Sequence, residues 1–594
     1  MQCFFDLFRN PTVILAYSIL LYTFIMILLR PKAEAKGHMR LFRLALFLPL
    51  CAVLVHCCFF WLSGQRFVHK FVYSGDSFHR VYWPLNLKLY LKLYLAALLP
   101  LLLLIPLHKK LLRRIFSAVL CLGLWYCALF QQFGLLMYTH VHNLTHESWT
   151  EGFLHTVEAM KQEYILSDWK QIDYQAFLDT YLPQVKAAEQ ANDSAAFGAI
   201  LTEFTYRFYD QHVVANMEIA DLRDTKGILS GNDYGLTLFQ ISSGETIAVM
   251  VDEESDAYAE GIRNGTVITA WDGVPVCEAA ASVECIYPNY RMKFAIKENE
   301  DVYRPLFLSG KGGETVRVTY LNREGAEQTV SLPATGTARL RLSSALASLQ
   351  HDWLPVENFS TKMISDTCGY LRITDEEYRP IMDYIAYMRH GFYPKLTDDV
   401  SKKLDALRAQ GMQSLVIDLR NNNGGLHVVG TAVSSLFTEE QRFQTAEGRR
   451  QGNVFRSTFR YDVFPDGRWK DMPVVVLVNQ ATMSAGDSTA LFLGQNENVT
   501  LMGITASSGV TQAIGGKCYL RGGFSVCYPV HPVLDENSQP LIDTDESREN
   551  RIPLDHVIPV DKNAALRIFN PESDDDTDDY ELDYAMQYLQ SAIQ

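Results

Sequence analysis

The run VVVLV at residues 474–478 constrains this chain more than any other stretch. Five consecutive apolar residues without alternation read as a strand covered on both faces, as in a parallel sheet packed between helices. The polar turn NQATM follows at once, then Ser484, then an apolar pattern at helical spacing, AGDSTALFLGQ. A serine delivered by a strand to a helix N-terminus has two uses. It can cap the helix, or it can act as a nucleophile if a base takes its proton. The same alternation extends over residues 365–594. CGYLRI, SLVIDLR and VTLMG read as buried strands, and DDVSKKLDALRAQG and the segment after Ser484 read as helices. This is a βαβ layout, in which ligands gather at the carboxyl ends of the strands.

The first 140 residues differ in character. Apolar runs at 12–29, 41–63, 88–107 and 115–138 each have roughly the length of a bilayer-spanning helix. Arg30, Lys32, Lys36, Arg40 and Arg43 follow the first run, and Lys109, Lys110, Arg113 and Arg114 follow the third. By the positive-inside rule those loops are cytoplasmic. The expectation is a four-helix transmembrane anchor over 1–140, a multi-pass protein of the plasma (inner) membrane in contact with the lipid bilayer. The part from about residue 141 onward is then extracytoplasmic. The net charge of −15, with no Lys/Arg-rich run beyond the apolar segments, argues against nucleic acid as a partner. Cys277 and Cys285, and Cys518 and Cys527 about a Gly-Gly turn, could pair as disulfides or stay reduced. No CxxC or histidine cluster calls for a metal, and nothing in the pattern calls for a cofactor.

Two further segments separate the apolar part from the βαβ part. Residues 147–225 carry apolar residues at helical spacing and predict a helical cap. Residues 232–334 contain strand-like runs and end in an alternating hairpin, TVRVTYLNREGAEQTVSL. Their order, YGLTL, then AYAEGIRNGTVITAWDGVPV, then GGETVRVTYLNREG, resembles a PDZ domain, with 278–309 as an insertion. The resemblance implies capture of a peptide C-terminus at the loop of Tyr234, Gly235 and Leu236. Residues 340–594 complete the chain as an α/β core.

IDLRNNNGG and then VLVNQATMSAGD, two strand–turn elements in that order, resemble the serine peptidases that include the C-terminal processing proteases, tricorn protease and the retinoid-binding-protein modules. DTCGYLRI, GITASSG and the tail pattern IPLDHVIPV followed by DYELDYAMQYL extend the likeness over 147–594. It implies a crotonase/ClpP-like α/β core, Ser484 as nucleophile, and an oxyanion hole from the N–H groups of Gly424 or Gly425 and of Ala485. In the C-terminal processing branch the base is a lysine in a G-x-x-T-x-G-K segment. Here that place holds Gly509, and Lys517 is out of register. The tricorn branch takes its base from a histidine of the helical cap, which is His212 in FYDQHV. A neutral imidazole can accept the serine proton directly. The orienting acid falls in ESRENRIPLD, where Glu549 is the first choice and Glu546 the reserve; Asp210 could serve instead. Asp487 shapes the nucleophile turn or caps its helix. The expected function is a serine peptidase acting on a protein or peptide substrate. The competing expectation is an inactive peptidase fold used for binding or signalling.

Overall fold

The computed structural model describes residues 21–22, 25–26, 29, 37–51, 140–378, 392–451, 454–569 and 578–593. The expected four-helix anchor does not stand. Among the described residues no helix is long and apolar enough to cross a membrane. The helix Met39–Ala45 has seven residues, against about twenty needed to span a bilayer. The apolar runs otherwise lie outside the described residues. The multi-pass inner-membrane placement, the contact with lipid and the extracytoplasmic side all rested on that anchor and fall with it.

The fold is α/β with several sheets. Its main sheet has six strands in the order His556–Val557, Val499–Gly503, Val474–Leu477, Ser414–Asp418, Cys368–Arg372 and Ser360–Met363. Every pairing is parallel except that of the last two strands. Both faces are covered, which explains the unbroken apolar runs. Val474, Val476 and Val478 pack with residues of the helices Pro394–Arg408, His427–Ser435 and Ala485–Gly494. Val475 and Leu477 belong to the opposite core, together with Ala585 and Leu589 of the last helix, Tyr580–Ile593.

Residues 149–230 form four helices, Trp149–Glu163, Tyr174–Ala191, Ser194–Tyr206 and Ile219–Ser230. Phe153, Phe197, Leu201 and Phe204 pack on Leu520, Phe524, Val526 and Tyr528 of a hairpin that lies after Ser484 in sequence. That hairpin belongs to a sheet the sequence did not announce. Its order is His140–Asn143, Ala513–Tyr519, Ser525–His531, Val214–Asn216. Cys518 pairs with Val526, and Cys527 with Lys517. Neighbouring positions in a strand point to opposite faces, so the two thiols leave the sheet on opposite sides, and no disulfide joins them. Cys277 and Cys285 are likewise unbridged.

The middle of the chain builds a third sheet, Thr237–Gln240, Thr246–Val249, Val267–Trp271, Thr315–Leu321 and Glu327–Pro333 in spatial order, with Val274–Pro275 added beside Val267–Trp271. Thr237–Gln240 is at its edge. The insertion contributes the helix Lys297–Leu308, whose C-cap Ser309 reaches that edge: Leu238 N–H donates to Ser309 Oγ at 2.7 Å.

Candidate active site

Two turns meet at the carboxyl ends of adjacent parallel strands. One follows Ser414–Asp418 and runs through Asn421–Gly425; the other follows Val474–Leu477 and ends at Ser484. They are stitched together. Met483 N–H donates to Asn422 O at 2.9 Å. Asn421 N–H donates to Asn479 Oδ1 at 3.0 Å, and Thr482 Oγ1 donates to Leu419 O at 2.8 Å.

Ser484 stands at the helix N-terminus but does not cap it. Its φ is 61° and ψ −124°, outside the extended range of a capping residue, and its side chain makes no capping hydrogen bond. Such a backbone costs on the order of 1–3 kcal/mol in a residue other than glycine and persists only where the surroundings enforce it. Here Ser484 N–H donates to Val510 O at 2.9 Å. The half-buried hydroxyl is thereby presented away from its own helix.

Gly424 lies against this serine. With φ at +80°, a Cβ there would come within 2.5 Å of Ser484 Cβ and 2.8 Å of Ala485 N. No other residue fits. Gly424 N–H donates to Asn422 Oδ1 at 2.8 Å, so that donor is already used. The N–H groups of Gly425 and Ala485 have no acceptor among the described residues. Those two can receive an oxyanion.

Two buried carboxyls brace the turns. Asp487 accepts from Ser508 Oγ at 2.7 Å and from Gly509 N–H at 3.1 Å. Burial pushes its pKa up to about 7, against these hydrogen bonds. Glu376 accepts from Asn422 Nδ2 and Thr489 Oγ1, both at 3.0 Å. Burial pushes it up to about 8, against those two donors. Behind them Arg420 is fully buried and donates to Asp418, Asp579 and Glu581 at 2.6–3.0 Å. Burial works against the charge on Asp418, but the Arg420 and Arg372 guanidiniums beside it hold its carboxyl well below the usual range.

His212 is buried at 3% exposure just beyond the helix Ser194–Tyr206. Its backbone N–H donates to Asp210 Oδ1 at 2.8 Å, and its ring Nδ1 is buried with no hydrogen-bond partner. Burial lowers its pKa, against the opposing charges of Asp210 and Asp543. Gln211 Nε2 ties this segment to the turn that ends at Ser484 by donating to Gln480 O at 3.0 Å. Ser484 and His212 make no direct hydrogen bond in this state.

The candidates for the third group differ in their surroundings. Glu549 is exposed, and its N–H donates to Ser547 Oγ. Glu546 is exposed as well and accepts from Gln171 Nε2 at 2.7 Å. Both are exposed, although Arg548 between them turns inward to Glu300. The carboxylate that acts on His212 besides Asp210 is Asp543, which is fully buried. Its Oδ2 accepts from Thr511 N–H at 3.0 Å, Thr511 Oγ1 at 2.7 Å and Gln512 Nε2 at 2.6 Å. Its Oδ1, like His212 Nδ1, is buried without a partner. A second histidine, His427, begins a helix two residues after Gly425. Burial, with the His212 charge next, pushes it down to about 4.

Lysine is absent from the place expected in a Ser–Lys dyad. Gly509 has φ +74°, a backbone that would strain a lysine, and Lys517 lies in the four-stranded sheet with Nζ over the ring of Tyr519. At the loop expected to capture a peptide carboxylate, Tyr234 is 2% and Leu236 1% exposed. Gly235 N–H is held by Asp233 Oδ1 at 2.9 Å. Of the N–H groups of this turn, that of Gly235 is thus already used.

Residues 367–547 match the model of peptidase family S41. A carboxyl-terminal-processing protease of a Picosynechococcus strain is 30% identical over 209 residues, 35% of this chain and 42% of that protein. The carboxy-terminal processing protease CtpA of Bacillus subtilis is 25% identical over 217 residues, 36% of this chain and 41% of the other. The chain thus spans less than half the length of these relatives. Among solved structures, mature CPAF complexed with lactacystin aligns over 75% of this chain and 98% of its own, at 14% identity and a TM-score of 0.46.

Proposed function

We propose, from the membership of residues 367–547 in peptidase family S41, that this chain is a serine peptidase in which Ser484 attacks the scissile carbonyl. His212 takes the hydroxyl proton and returns it to the leaving amine, as a general base and then acid. The carbonyl oxygen, negative in the tetrahedral intermediate, is received by the N–H groups of Gly425 and Ala485. Water then attacks the acyl-enzyme by the same route in reverse. Asp543 orients His212: the orphaned Oδ1 and Nδ1 are complementary, and such bonds commonly tighten only when substrate is bound. The observation that supports the reading most strongly is the uncapped, strained Ser484 with Gly424 against it. Neither is needed by a packing element.

The substrate class in this proposal is a protein or peptide cut near its carboxyl terminus, after the relatives' names. The 232–334 segment acts as a PDZ-like recruiting domain that adds a strand at the edge Thr237–Gln240. Leu238 N–H, now held by Ser309 Oγ, must be released for that strand to add.

A fluorophosphonate probe applied to the full chain tests the assignment. Labelling should be complete in the unaltered protein and absent from Ser484→Ala. Labelling that persists in Ser484→Ala would place the nucleophile elsewhere.

A further inference from the structure

A cavity of about 260 Å³ lies between the helical cap and the insertion, on the side of the molecule where Tyr290 OH donates to Asn423 Oδ1 at 2.9 Å. Its inner wall is buried: Lys293, Thr202 and Thr205 are each 3% exposed or less, and Tyr287 is 3% exposed. Asn216 and Tyr290 stand at its exposed rim. Two ammonium groups face it, Lys293 from the insertion and Lys226 from the helix Ile219–Ser230, and no Asp or Glu lines it. Lys293 Nζ donates to Thr205 Oγ1 at 2.6 Å, a neutral partner, and Lys226 Nζ sits 5.2 Å from the centre of the Tyr287 ring.

A buried ammonium is ordinarily paired with a carboxylate, because an isolated charge is costly to bury. Among the described residues Lys293 has no such pair. Burial lowers its pKa well below the usual lysine value, and the one charge that opposes this is Asp210, which also acts on His212 and Lys170. Lys226 is lowered too, by burial and by Arg339. Lys293 therefore meets the cavity with a neutral hydrogen-bond partner and no carboxylate among the described residues, and half-buried Lys226 lines the same space. Met217, Leu222 and the Tyr287 ring complete the wall with apolar surface. The space exceeds the roughly 150 Å³ that takes a benzene ring in an engineered apolar cavity.

We infer that this cavity binds a carboxylate joined to a small apolar group, with the carboxylate between Lys293 and Lys226 and the apolar group against Tyr287 and Met217. Two sources share that chemistry: a free organic acid, and the last residue of a peptide with an unblocked C-terminus. The inference does not depend on Ser484 as nucleophile.

Calorimetric titration of the full-length Ser484→Ala protein tests it, with N-acetyl-leucine, N-acetyl-leucinamide, and an acetylated hexapeptide ending in leucine as free acid and as amide. The free acids should bind at least tenfold more tightly than the amides, and Lys293→Met should remove that preference. Replacing a buried charge by an apolar side chain of similar size is often neutral or stabilising, so Lys293→Met should melt no lower than its parent. If it does not fold, Lys226→Met, nearer the surface, should still weaken the acids several-fold without affecting the amides. Binding of N-acetyl-leucine as tight as that of the peptide identifies a free acid as the ligand; tight binding of the peptide acid alone identifies a C-terminus. Equal binding of acid and amide, absence of binding up to millimolar concentration, or an unchanged preference in the lysine variants would overturn the inference. Because no hydrolysis is measured, such a failure would leave the catalytic proposal untouched.

Discussion

Ser484 and the glycines beside it were legible because they lie within a few residues of a strand that cannot be mistaken. The buried carboxylate Asp543, which acts on His212, was not. Asp543 follows Leu541 and Ile542, apolar neighbours that draw it inward, whereas Glu549 lies in the charged run ESRENR and is exposed. The cue was therefore present, but motif register pointed past it. Replacing Asp543 by Asn should lower kcat strongly while Glu549→Ala changes it little, as measured by steady-state hydrolysis of a peptide. His212 adds a pH test. Its pKa is lowered by burial, so the neutral base persists below the ordinary value of about 6.5. The acid limb of kcat/KM should accordingly lie on the acidic side of that value. His212→Ala should cost nearly as much as Ser484→Ala, on the order of 10⁴–10⁶-fold, while Lys517→Ala stays close to the unaltered enzyme.

At the scale of elements, the parallel order of the main sheet was readable from unbroken apolar runs. The four-stranded sheet was not, because it joins a three-residue strand, Val214–Asn216, and the strand His140–Asn143 to a hairpin more than 290 residues further on. Short strands that depend on distant partners carry little local pattern. The glycine turn gives the sharpest element-level prediction. Gly424→Ala combines a positive φ with a Cβ 2.5 Å from Ser484 Cβ. Probe labelling should be lost in this variant even where circular dichroism shows a folded protein. The last helix gives another. Truncating one partner of a buried charge pair costs about 3–5 kcal/mol, so Asp579→Ala should lower the unfolding free energy read from urea denaturation by an amount of that order. Exposed Asp398→Ala, which loses only a surface pair with Arg468, should leave it nearly unchanged.

For the molecule as a whole, buried ionisable groups set how stability varies with pH. Glu376 and Asp487 retain their protons in the folded state up to about 8 and about 7. In the unfolded chain they ionise near 4. The folded protein then binds more protons across that window, so their contribution is full below about pH 4 and is lost as pH rises through 7–8. His212 acts in the opposite sense, because the unfolded chain gains a proton below about pH 6.5 that the folded one resists. Thermal melts from pH 5 to 9 should show stability declining on the alkaline side, and Glu376→Gln should flatten that decline.

The Arg420 cluster also bears on when the glycine turn can settle. Arg420 immediately precedes the asparagine–glycine turn, and its partners Asp579 and Glu581 lie 159 and 161 residues later in the chain. At a synthesis rate of roughly 5–20 residues per second, those partners emerge about ten to thirty seconds after it. Until they arrive, the base of the glycine turn holds a guanidinium with much of its countercharge missing. A nascent chain therefore carries the serine, the histidine and the glycines without a settled cleft, and a chain released before residue 579 should remain unlabelled by a serine-directed probe.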